Sequence, residues 1–247
     1  MKEASFLEHL EELRRRILWS TVAVVIGTIA SFHYAQRIVE ILYLPLKGKV
    51  ENLILLRPQE GLVVYLKVSI FSGVILASPF ILYHLWAFLS PGLFQGERKT
   101  ILPVIIFSPI LFLTGIFFAY EVVIPVGLNF LLRFTGPNFL PTFSLSYYIS
   151  FVTRFLIGLG ALFQVPLIAA VLTRMNVLSY RDLLKFHRHA ILGAFILSAV
   201  LTPPDVVTQI LLGLPLILLF EISLGISWLI SRSVKIRNKG GEDEKDK

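Results

Sequence analysis

Residues 9–31 read HLEELRRRILWSTVAVVIGTIAS: acids, then three arginines, then an apolar run with nothing between them. Upstream and into this stretch, Phe6, Leu10, Leu13 and Ile17 recur at spacings of four, three and four. That spacing predicts an amphipathic helix leading directly into a hydrophobic one. Ser5 and Glu8 stand at the S-x-x-E spacing of a capping box, which predicts where the helix starts. Glu11–Arg15 and Glu12–Arg16 stand at i,i+4 in the favourable acid-first order, and Glu8 and Glu12 lie together away from the apolar stripe. Arginines at the mouth of an apolar helix are topology signals. The acids beside them need another reason.

The rest of the chain has the same character. It is 55% hydrophobic and only 16% charged over 247 residues, with a mean hydropathy of +0.77. A soluble domain carries about a quarter of its residues charged, so a bilayer is the expected solvent. Windows free of charge at Ile17–Gln36, Val68–Gly96, Thr100–Tyr120 and Phe155–Thr173 can each cross a hydrocarbon core of ~30 Å. Two later windows are shorter or interrupted. His189–Pro204 reaches only ~24 Å at about 1.5 Å per residue, and Val206–Ser231 contains Glu221. A tight TPPD turn at 202–205 is expected to join them, because prolines end one helix and can start the next.

The expected architecture is an all-α integral membrane protein. One domain, 1–231, carries six transmembrane helices at about 17–36, 62–89, 100–125, 151–173, 189–203 and 206–231, followed by a flexible cytoplasmic tail, 232–247. The last two spans are short, so the bilayer is expected to thin around a concave bundle. Most of the 23 lysines and arginines fall in the N-terminus, the 90–100 loop, the 174–188 loop and the tail, which predicts both termini in the cytoplasm. The segments 35–60 and 126–150 carry apolar residues of their own and are expected to pack over the outer rim. No small-x-small cleavage site follows Ala30, so the first span reads as an uncleaved anchor. The net charge of +7 fits cytoplasmic loops and calls for no nucleic acid partner.

More specific sequence begins at the second inner segment, 78–98, SPFILYHLWAFLSPGLFQGER. It has aromatics at Phe80, Tyr83, Trp86 and Phe88, a Pro91-Gly92 turn, and Glu97 beside Arg98. Together with HLEELRRR, EGLVVYLKVS (60–69), GAFILSAVLTPPD (193–205), LTPPDVVTQ and LPLILLFEISL, it resembles the TatC family, in order and spacing, from His9 to about Trp228. TatC is the receptor subunit of the twin-arginine translocase. The resemblance implies recognition of folded cargo through a signal peptide bearing two adjacent arginines. It also implies assembly with single-span TatA- and TatB-type subunits in the inner membrane of a prokaryote, a homo-oligomeric complex, and export driven by the proton-motive force. Carried over by position, the signal-peptide-binding residues are Glu12, Glu97, Arg14 and Leu93. The physical sense is that a guanidinium offers a flat fork that a carboxylate meets with two parallel hydrogen bonds, which an ammonium cannot reproduce.

Polar groups at bilayer depth form a second set of candidates. Gln164 stands near the middle of the fourth span, Glu221 in the sixth, and Glu121 toward the outer end of the third. Many family members have glutamate where this chain has Gln164, and glutamine cannot exchange a proton, so the resemblance leaves it a polar contact to a partner span. Asp205, in the TPPD turn, also matches a family position. A proton-coupled small-solute transporter using Glu121, Gln164 and Glu221 is the alternative. The absence of repeats and of glycine-broken helices weighs against it. Enzyme chemistry has little support. With no cysteine there is no thiol nucleophile or thiolate zinc site, no Walker A or HEXXH motif is present, and no cofactor or metal is expected.

Overall fold

The computed structural model describes residues 6–50, 53–93, 98–133, 142–175, 177–201 and 206–242. Six of its helical stretches are long and apolar enough to cross a membrane: Glu8–Phe32, Glu60–Leu89, Leu102–Arg133, Leu145–Arg174, Tyr180–Val200 and Gln209–Arg232. The chain forms two compact units that divide between Leu159 and Gly160.

The first unit contains α1 (Phe6–Phe32), α2 (Ala35–Tyr43), α3 (Glu60–Leu93), α4 (Arg98–Phe118), α5 (Ile124–Arg133) and most of α6 (Leu145–Leu162). Ser5 of the expected capping box lies outside the described residues. Helix α1 runs without interruption from the amphipathic stretch into the apolar one, since nothing in 9–31 breaks it. It packs along α3 at a crossing of two glycines. A Cβ on Gly73 would come within 2.6 Å of the Thr28 backbone nitrogen, and one on Gly27 within 2.9 Å of the Gly73 carbonyl oxygen. Close backbone approach at small residues is how apolar helices gain contact when lipid offers no hydrophobic drive between them.

Several hydroxyls inside the spans are satisfied locally, though the buried Ser78 Oγ is not. Thr28 donates to the Val24 carbonyl at 2.8 Å, Ser69 to Tyr65 at 2.6 Å and Thr114 to Ile110 at 2.8 Å. Each is an i−4 bond that removes a bare donor from hydrocarbon. Between helices, Trp86 Nε1 donates to Ser108 Oγ at 3.0 Å, tying α3 to α4.

Several boundaries differ from the sequence expectation, each for a local reason. Pro91 and Gly92, expected as a turn, are within the last turn of α3, which ends at Leu93. There the proline costs only the bond back to Ala87. The third span does not stop near residue 125. Pro125 has no N–H for the carbonyl of residue 121, and the chain widens into a π turn, Ala119–Val123, before continuing as α5 to Arg133. The fourth span is broken rather than continuous. Helix α6 ends at Leu162, Phe163 and Gln164 turn, and α7 (Val165–Arg174) restarts with Pro166 in its first turn.

The segments expected to cover a rim do fold against the helices of their own unit. Helix α2 leads to a short 3₁₀ turn, Leu44–Leu46, and Gly48 takes a positive φ of 80° at the following bend. Strands β1 (Leu53–Ile54) and β2 (Phe143–Ser144) pair in parallel. The Tyr120 hydroxyl donates to the Ile41 carbonyl at 2.6 Å and the Tyr148 hydroxyl to Leu42 at 2.8 Å. Leu46, Val64, Val68, Ile124 and Ile149 are wholly buried here.

The second unit contains α7, α8 (Tyr180–Leu201) and α9 (Val206–Glu242), with α9 packed on both others. Helix α8 starts nine residues earlier than the span expected at 189. Ser179 and Asp182 form a reciprocal cap, Ser179 N donating to Asp182 Oδ2 at 3.1 Å and Asp182 N to Ser179 Oγ at 3.3 Å. Thr173 and Ser227 share a hydrogen bond of 2.8 Å between α7 and α9. Gln209 Nε2 donates to the Phe195 carbonyl at 3.0 Å between α9 and α8. Helix α9 continues past Ser231, because neither proline nor glycine lies between Gly225 and Gly240. The TPPD turn with Asp205 lies outside the described residues.

Candidate receptor site at the amino-terminal helix

Glu12 is on the second turn of α1, where the polar face of that helix meets α3. Arg16, one turn on, brings two donors to a single oxygen: Nε donates to Glu12 Oε1 at 3.0 Å, and Nη2 also reaches Oε1. The other oxygen, Oε2, stands 3.6 Å from His9 Nδ1. His9 in turn stacks on Phe88 of α3, ring centroids 4.3 Å apart and 14° from parallel. Arg16 Nη1 reaches the His84 carbonyl of α3 at 3.4 Å, a long and therefore weak bond. The Glu12 side chain is 25% exposed and that of Arg16 20%.

Hollows on either side of this pair differ in character. Glu12 helps line an open one of about 390 Å³, formed along α1 by the charged side chains of Glu8, Glu11, Arg14 and Arg15 together with Leu18. Arg16 helps line an apolar groove of about 320 Å³ walled by Leu13, Ile17, Val24, Ile81, Leu85 and Phe88. The surroundings can therefore take a cationic group and an apolar segment side by side.

The other site residues fall as follows. Arg14 and Arg15 are exposed and make no ion pair among the described residues, so the pairing expected for Glu11–Arg15 does not form while that for Glu12–Arg16 does. Glu97 lies outside the described residues, and of Leu93 only the helical backbone is described. Gln164 is buried and sits at the break between α6 and α7, its carbonyl accepting from Ile168 N at 2.9 Å. That break is made by proline, so a discontinuous helix is present even though no glycine marks it. Glu121 is exposed within the π turn. Glu221 meets a partner across the second unit: His187 Nε2 of α8 stands 3.3 Å from Glu221 Oε1.

Sequence reasoning missed Glu60. It is 7% exposed at the start of α3 and accepts from Ser144 Oγ, Ser146 N at 2.8 Å, Leu56 N at 2.6 Å and Arg57 N at 3.3 Å. Beside it, Lys67 Nζ donates to Ser146 Oγ at 3.0 Å and Ser150 Oγ at 2.9 Å. No metal-binding cluster of His, Asp and Glu is present among the described residues.

Six helices long and apolar enough to cross a bilayer, with hydroxyls such as those of Thr28, Ser69 and Thr114 bonded one turn back, define a multi-pass α-helical membrane protein. The family described as Sec-independent protein translocase protein (TatC) matches residues 8–215. The TatC protein of Carboxydothermus hydrogenoformans is 39% identical over 242 residues, covering 98% of each chain. That of Aquifex aeolicus is 40% identical over 232 residues, covering 92% of this chain and 96% of its own. A crystal structure of the twin arginine translocase receptor TatC, 39% identical, superposes with a TM-score of 0.82 over 91% of this chain and all of that one. The chain belongs to the TatC family. Its relatives are translocase components and not enzymes, in line with the sequence expectation.

Proposed function

We propose that this chain is the receptor subunit of a twin-arginine translocase, binding the signal peptide of folded cargo at the α1–α3 cluster. The observation that carries the reading is the Glu12–Arg16 pair, in which Glu12 lines an open hollow edged by charged side chains and Arg16 lines an apolar groove. An arginine pair and the apolar stretch of one short peptide need such neighbours. Exposed ion pairs contribute only about 0–1 kcal/mol each, so the groove supplies much of the affinity. Glu97, with Arg14 and Leu93, completes the acceptor for the second arginine. TatA- and TatB-type spans are recruited through Gln164, Glu221 and Glu121, with Asp205 contributing. The six spans act as one membrane domain, 1–231, in an inner membrane, with both termini cytoplasmic and transport driven by the proton-motive force.

The test is binding of a synthetic Arg-Arg signal peptide and its Lys-Lys counterpart to the full-length protein in nanodiscs. Glu12→Gln and Glu97→Gln should each weaken the Arg-Arg peptide about tenfold. Unchanged binding by both folded variants would overturn the assignment. The chain has no native cysteine, so single cysteines at either end of each span report orientation by labelling from one side.

A further inference from the structure

The Glu12 carboxylate already holds a guanidinium. Arg16 uses two of its donors on Oε1, and the oxygen left over, Oε2, faces His9. A visiting arginine can form two parallel bonds with a carboxylate only if both oxygens are accessible. Here it meets a single oxygen on a group whose charge is largely neutralised. Arg16 also has somewhere to go. Its Nη1 is within 3.4 Å of the His84 carbonyl, so a side chain displaced from Glu12 keeps an acceptor.

We propose that Arg16 is a resident competitor for the guanidinium that Glu12 receives, so that cargo binds by exchanging one arginine for another. The inference rests on the reading of Glu12 as an acceptor. Exchange has a consequence for specificity. A guanidinium can replace the fork it expels with one of its own, whereas an ammonium brings a single point of contact and restores less of what is lost. The resident pair also holds Glu12 neutralised between visits, which lowers attraction for stray cations near the membrane surface.

Peptide binding to full-length protein in nanodiscs tests this in Arg16→Gln, Glu12→Gln and the double variant. Arg16→Gln is expected to tighten the Arg-Arg peptide about three- to tenfold, a range set by a partly shielded ion pair. The Lys-Lys peptide should tighten less than about twofold, and the gain should vanish in the Glu12→Gln background. Equal or weaker binding in folded Arg16→Gln overturns the proposal. So does the same gain in the double variant, which would reveal a general charge effect. If Glu12→Gln binds as well as the parent, the acceptor reading itself falls and takes this inference with it. If Glu12→Gln weakens binding and Arg16→Gln does not strengthen it, only the competitor role falls. Should Arg16→Gln fail to fold, Arg16→Lys keeps the charge without the fork, and its gain should be smaller but of the same sign.

Discussion

Two carboxylates stand near opposite ends of α3, and the chain treats them in opposite ways. Glu60 is buried and takes hydrogen bonds from two backbone amides of the preceding loop, one backbone amide of α6 and one serine hydroxyl. Its donors are neutral, two from the loop just before it and two from more than eighty residues further on, so it staples the β1–β2 end of the unit together. Glu12 is partly exposed, holds one charged partner on one oxygen and has a histidine at 3.6 Å from the other. A carboxylate whose acceptor sites are filled by backbone is structural. One that lines an open hollow and is held by side chains alone is equipped for exchange.

The widest break in that contrast would come from between the two ends. Gly73→Val puts branched carbon into the Thr28 backbone and is expected to lower the thermal midpoint by about 10 °C or more, with peptide binding lost as α1 leaves α3. Scanning fluorimetry in detergent measures the first effect and peptide binding the second. Glu60→Ala leaves several donors without an acceptor, and a fall of about 5 °C should appear while peptide affinity changes less than twofold. A loss of binding as large as that of Glu12→Gln would erase the division between staple and receptor. Tyr148→Phe removes the bond to the Leu42 carbonyl, and about 1 kcal/mol of stability should go with it. Smallest in stability is Glu12→Gln, where the midpoint should move by no more than about 2 °C although binding falls about tenfold. A large stability loss there would make Glu12 a second staple.

Much of this was legible in the sequence. Four charge-free windows and two shorter or interrupted apolar ones fell on the six long apolar helices, because lipid punishes charge wherever it falls in a helix. Their ends were harder. Helix α8 starts among Arg181, Asp182, Lys185 and Arg188, residues that close a charge-free window but not a helix, since long basic side chains reach the interface from within it. The Ser179–Asp182 cap was a signal in plain view. Pro166 carried the break in the fourth span, yet a proline in an apolar run does not say whether the helix kinks or restarts. At the site, Glu12–Arg16 followed from i,i+4 spacing, but His9 on Phe88 joins residues 79 positions apart and left no local trace. Glu60 looked like an ordinary acid in a first turn, its serine partners being more than eighty residues away.

The glycine crossing of α1 and α3 also sets a mechanical scale. Glu12 and Gly27 share one unbroken helix, so the carboxylate sits on a rigid lever about 23 Å long, measured from that fulcrum at about 1.5 Å per residue. Tilting α1 by about 10° would sweep Glu12 through about 4 Å, more than the length of a hydrogen bond. Any force that rocks the first span in the bilayer is thereby converted into opening or shutting of the grip on cargo.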